Sequence, residues 1–144
     1  MKSKIVKNEM YKGYKCIVRY IYPEDEMINM YPANVRDEMR DMYRWFDGYV
    51  SIPELSKLYG MDVDDVYDEN HIASNLDVHG GITFTGKVKN LDKSYEGNEF
   101  FIGFDCNHSF DDPNVQNGEF VLLECKKLVD QIIDLDKFTN KEEI

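Results

Sequence analysis

Two rhythms of apolar residues separate the elements of this chain. Val121, Cys125, Leu128 and Ile132 recur at i, i+4, i+7 and i+11, one face of an α-helix. This spacing predicts a helix over residues 115–134. Asp112-Pro113-Asn114 offers its start, because proline suits a first turn and a carboxylate favours the positive helix end. Residues 14–22 are instead dense in aromatic and β-branched side chains, follow the turn-like Lys12-Gly13 and end at Pro23, which predicts a strand. Residues 46–52 read the same way and stop at Pro53. Residues 82–88 and 99–105 predict two more strands. Their polar connection, 90–98, contains Gly97 and has no helical period, so an antiparallel hairpin is expected. Residues 33–44 predict a helix capped by Asn34, with Val35, Met39 and Met42 on one face and Arg36, Asp37, Arg40 and Asp41 on the other. A short helix is expected at 62–67 and a loop at 68–76, while 54–60 reads as loop or helical turn.

Strands with helices at the middle and end, and no βαβ rhythm, predict an α+β fold. A mostly antiparallel sheet would carry the C-terminal amphipathic helix packed on it. With 144 residues and no linker, repeat or low-complexity segment, one domain is expected over residues 1–138. Residues 23–44 read as an inserted helical segment and 139–144 as a frayed tail.

Charge narrows the partners. The chain carries 28 acidic and 17 basic residues, a net −11, which argues against nonspecific nucleic-acid binding through phosphate neutralisation. The same excess suits solubility or, alternatively, mimicry of nucleic acid, with carboxylates occupying a partner's phosphate-binding groove. No apolar run approaches the ~20 residues that span a bilayer, so no membrane partner is expected. The opening Met1-Lys2-Ser3-Lys4-Ile5 has no signal-peptide hydrophobic region, which points to the cytoplasm. Cys16, Cys106 and Cys125 are odd in number and far apart, which disfavours a disulfide framework. The aromatic content is compatible with a homodimer.

The candidate chemistry lies in two short motifs. Asp77-Val78-His79-Gly80-Gly81 opens the third predicted strand, and Asp105-Cys106-Asn107-His108 closes the fourth. Antiparallel pairing would put His79, Asp105, Cys106 and His108 on one rim of the sheet. Three uses are open. Cys106, His108 and His79 are candidate ligands for a metal such as zinc. Cys106 with a histidine and Asp105 or Asp111 has the residue types of a thiol hydrolase. His79, Gly80, Gly81, Thr83, Asp105, His108 and Asp111 are candidate contacts for a small polar ligand, with the glycine amides free to meet an anion. A hydrogen-bonded polar cluster that merely fixes the loop is the competing structural explanation.

The motifs also carry a resemblance. Gly48-Tyr49-Val50, Leu58-Tyr59-Gly60, the run from Asp77 to Gly86, the run from Phe100 to His108, Asp111 and Glu124-Cys125-Lys126-Lys127-Leu128 together resemble an uncharacterised family of small bacteriophage and prophage proteins with HGG(I/L)TF(S/T)G and GFDCxH motifs. Three features depart from the family pattern. Its usual Trp-Trp pair is Phe100-Phe101, its Ala-His-Ala-Gly-Asp is Asn107-His108-Ser109-Phe110-Asp111, and residues 23–44 are extra. The resemblance implies the cytoplasm of an infected or lysogenic bacterium. In that setting the expected function is anti-defence, with the rim binding and sequestering a nucleotide-derived immune signal. A metal-dependent or thiol hydrolase at the same rim, and an acidic inhibitor bound to a host defence protein, are the alternatives.

Overall fold

A computed structural model describes the backbone of residues 1–142 and the side chains of residues 1–137. The chain forms a five-stranded antiparallel sheet and a long C-terminal helix, an α+β fold. The strands are β1 (Lys2–Tyr11), β2 (Tyr14–Tyr22), β3 (Trp45–Ile52), β4 (Phe84–Gly86) and β5 (Phe100–Asp105), in the order β1-β2-β3-β5-β4. Helices α1 (Asp25–Asn29) and α2 (Arg36–Met42) separate β2 from β3, and α3 (Gly118–Glu142) closes the chain. Among the described residues no helix is long and apolar enough to cross a membrane.

The central strands are buried on both faces, which explains their nearly continuous apolar runs. Cys16 and Val18 of β2, Val50 and Ile52 of β3, and Ile102 and Phe104 of β5 pack against Val121, Cys125, Leu128, Val129 and Ile132 of α3. The helical spacing of α3 therefore marks its core face. On the opposite face Ile17, Tyr49 and Phe101 pack with Val88 and Tyr95. Gly48 lies beneath α3, where a Cβ would meet the Phe104 ring at 2.5 Å and Cys125 Sγ at 2.8 Å.

Several elements differ from expectation. β1 has no apolar signature because it is an edge strand whose exposure alternates, with Lys2 and Lys4 facing solvent and Lys7 paired to Glu119 at 3.4 Å. The β1–β2 turn is tight, with φ of 50° at Lys12 and 85° at Gly13, the positive pair that suits a two-residue hairpin. The predicted helix over 33–44 is a 3₁₀ turn, Ala33–Val35, followed by the shorter α2. Asn34 does not cap it, since Val35 holds the cap position without a side-chain hydrogen bond. Its apolar face is not core, whereas Ile28 of the neighbouring α1 is fully buried. The strand expected at 82–88 shrinks to three residues, because Gly86 sits at φ 143° and a 3₁₀ turn follows at Val88–Asn90. The long helix starts at Gly118, where Asn117 Oδ1 accepts from the Phe120 amide at 3.0 Å. Asp112 instead organises the preceding turn, accepting from the Asn114 amide at 2.9 Å. The short helix expected at 62–67 is the 3₁₀ turn Val63–Tyr67, capped reciprocally by Asp62 and Asp65. The tail expected to fray, 139–144, lies outside the residues with described side chains.

Candidate functional site

Two loops meet at the rim between the β5 end and the start of α3. The first, residues 76–83, is fastened to the helix. Gln131 accepts from the Asp77 amide through Oε1 at 2.7 Å and donates to the Asp77 carbonyl through Nε2 at 2.7 Å. Glu124 Oε1 accepts from the His79 amide at 3.1 Å, and the Val78 and Ile82 side chains are buried. The second loop leaves β5 after Cys106, whose amide donates to the Phe46 carbonyl at 3.1 Å and so continues the ladder. It then turns through residues 108–111, where the Asp111 amide donates to the His108 carbonyl at 2.9 Å.

The loops converge on Asp111, whose side chain is only 2% exposed. His79 Nε2 lies 2.6 Å from Asp111 Oδ1, and His108 Nδ1 lies 2.7 Å from Oδ2. The His108 amide also donates to Oδ2 at 3.0 Å. Burial would raise the Asp111 carboxyl, but the His108 ring and amide and the His79 ring outweigh it and hold the group below its ordinary value of 3.8. An ionised carboxylate only accepts, so the facing ring nitrogens carry the protons.

Aromatic rings fix both imidazoles. Phe110 stacks on His108 with centroids 5.2 Å apart, and Phe120 meets His79 edge-on at 5.3 Å. Gly80 completes the fit. At φ 71°, a Cβ on it would lie 2.2 Å from His108 Cε1, so only glycine admits the ring there. Beside the cluster is a cleft of ≈330 Å³ lined in part by Arg44, Asn107, His108, Ser109 and Asp111. Arg44 is held at its edge by Asp41 at 2.9 Å and Asn114 at 2.8 Å.

The other candidate residues divide between tasks. Asp105 Oδ1 is 3.6 Å from His108 Nε2 and accepts from Thr83 Oγ1 at 3.4 Å. Thr83 and Asp105 face a separate hollow on the sheet, lined also by Arg19, Trp45, Asp47 and Tyr49. The Gly81 amide is not free to meet an anion, since it donates to the Val78 carbonyl at 2.8 Å; Gly80 and Gly81 shape the turn. Cys106 is buried at 3% exposure, and burial and then nearby carboxylates, Asp111 first, push its thiol up to about 12. A neutral, enclosed thiol is a poor nucleophile. Among the described residues, those whose ligand atoms lie within 4.8 Å of one another are His79, His108 and Asp111, so in the metal-ligating set Asp111 stands where Cys106 was expected.

Arg19, Asp47 and Tyr49 were not anticipated as a polar group. Arg19 Nη2 lies 3.2 Å from Asp47 Oδ2, and Tyr49 donates to the same oxygen at 3.1 Å. The available signal was an arginine and an aspartate set within two otherwise largely apolar strands. Glu124 and Gln131 are likewise legible only as solvent positions of a helix until the loop is placed on them. No protein-family model, curated protein or solved structure matches the chain.

Proposed function

We propose that this protein binds a small, phosphate-bearing ligand at the rim cleft and acts by sequestration, as a bacteriophage anti-defence protein that withdraws a nucleotide-derived immune signal. The supporting observation is the hydrogen-bonded His79–Asp111–His108 cluster, packed against Phe110, Phe120 and Gly80, at the edge of a polar cleft. Arg44, Asn107 and His108 line the cleft and are its groups toward an anionic ligand. The phage setting rests on the motif resemblance alone. Binding is favoured over thiol hydrolysis because the only cysteine at the rim, Cys106, is buried and its thiol is pushed up to about 12.

The test is a depletion assay. Purified protein is incubated with a nucleotide extract of phage-challenged bacteria, filtered, and heated to release what it holds. The expected result is stoichiometric removal of one nucleotide species, recovered intact on heating, with capture reduced at least about tenfold in Asp111→Asn. Recovery of a degraded product would replace sequestration with catalysis. No depletion would remove the ligand reading.

A further inference from the structure

We propose that His79, His108 and Asp111 form a three-ligand site for a divalent transition-metal cation, zinc being the best match, with the remaining coordination position facing the rim cleft. Two imidazole nitrogens and one carboxylate oxygen are a donor set that zinc accepts, and three protein ligands leave one position for water or a ligand atom. The three ligand atoms lie within 4.8 Å of one another. Small side-chain movements bring such a set onto one ion, whose bonds to nitrogen and oxygen are about 2.0–2.2 Å.

The surroundings favour a metal over a cluster that only pins the loop. His108 is flanked by carboxylates at both ring nitrogens, Asp111 at 2.7 Å from Nδ1 and Asp105 at 3.6 Å from Nε2. A neutral imidazole has one proton for two acceptors. A cation on Nδ1 leaves that proton on Nε2, directed at Asp105, the carboxylate–histidine–metal arrangement that orients ligating histidines. Thr83 in turn donates to Asp105 at 3.4 Å, so the outer carboxylate is itself held. Phe110 and Phe120 cover the rings with apolar surface, and the Asp111 side chain is removed from solvent, which strengthens a metal–carboxylate bond. The cation also answers a charge problem at the cleft. Asp41 and Asp111 line it, and an anionic ligand needs positive charge there beyond Arg44.

This inference shares the rim with the ligand-binding reading, but its test needs no ligand other than the metal. It is tested on the full chain with metal only. EDTA-treated protein is titrated with zinc by calorimetry, and with cobalt(II) by absorption spectroscopy. The expected result is one zinc per chain and a cobalt d–d spectrum without a thiolate charge-transfer band. Zinc affinity should fall at least about 100-fold in His79→Gln and in Asp111→Asn, stay within about twofold in Cys106→Ala, and fall about tenfold in Asp105→Asn. Circular dichroism of each variant separates loss of metal from loss of fold. Wild-type protein that binds no zinc, or a Cys106→Ala variant that loses it, overturns the proposal. The depletion assay on the same EDTA-treated protein keeps the two ideas distinct, since capture without zinc binding removes the metal alone.

Discussion

Two aspartates with little exposed side chain, Asp47 within β3 and Asp111 in the loop that follows β5, are held in opposite ways. Asp111 has two imidazoles and an amide on its oxygens, and its carboxyl is held below the ordinary value. Asp47, 7% exposed, offers Oδ2 to Arg19 and Tyr49, while Oδ1 has no hydrogen-bond partner among the described residues. Burial pushes Asp47 up to about 6, more than Arg19 and the Tyr49 hydroxyl pull it down. Asp105, its cross-strand partner, adds to the rise. Depth and donors both separate the pair: Asp47 is buried within the sheet with two donors on one oxygen, whereas Asp111 lies between two loops with three donors spread over both oxygens.

The comparison can be broken in three places. The largest effect is expected from Arg19→Met, which leaves Asp47 buried beside Tyr49 alone. Denaturant unfolding at pH 7 should show a loss of about 3–5 kcal/mol, the usual result of stripping one partner from a buried pair. At pH 5 the loss should be smaller, because Asp47 is then protonated. An equal loss at both pH values would mean that Arg19 matters through its packing.

The next effect is a slope in the wild-type protein. A carboxyl raised in the folded state stabilises fully below its unfolded value of 3.8, and that contribution disappears as pH rises through about 6. Two units correspond to roughly 3 kcal/mol, so unfolding free energy should decline by up to that amount from pH 4 to pH 7 relative to Asp47→Asn. Parallel curves for the two proteins would show that Asp47 titrates normally.

The smallest effect on stability concerns the other aspartate. Gly80→Ala forces a side chain into positive φ and against His108, at a cost of about 2 kcal/mol. Its sharper consequence is local. The ring of His108 must leave its place between Asp111 and Phe110, and its imidazole resonances should shift by NMR while those of Tyr49 and Phe104 stay in place. Unmoved His108 resonances would mean that the turn yields and the ring does not depend on glycine.

Most of the architecture was readable before the structure was known. The α3 core face, the strands β2, β3 and β5, and the antiparallel pairing of β4 with β5 follow from apolar periodicity and turn residues. β1 was not readable, because an edge strand with solvated lysines carries no apolar rhythm. Nor was the start of α3, where Asp112 and Asn117 both offer cap chemistry and only the chain path decides between them.

For the candidate site, local sequence determined which groups are available: two histidines, the aspartates and the glycines, in two short motifs at the ends of paired runs. Tertiary structure decided their partners. It turned Cys106 inward to continue the β5–β3 ladder, raised its thiol, and placed Asp111 between His79 and His108, although 32 residues separate Asp111 from His79. It also joined Arg19 to Asp47 across two strands. The physical reason is that residue order sets local conformation and the side-chain period. Which donors reach a given carboxylate, and how much water remains around it, depends on segments distant in the chain that only packing brings together.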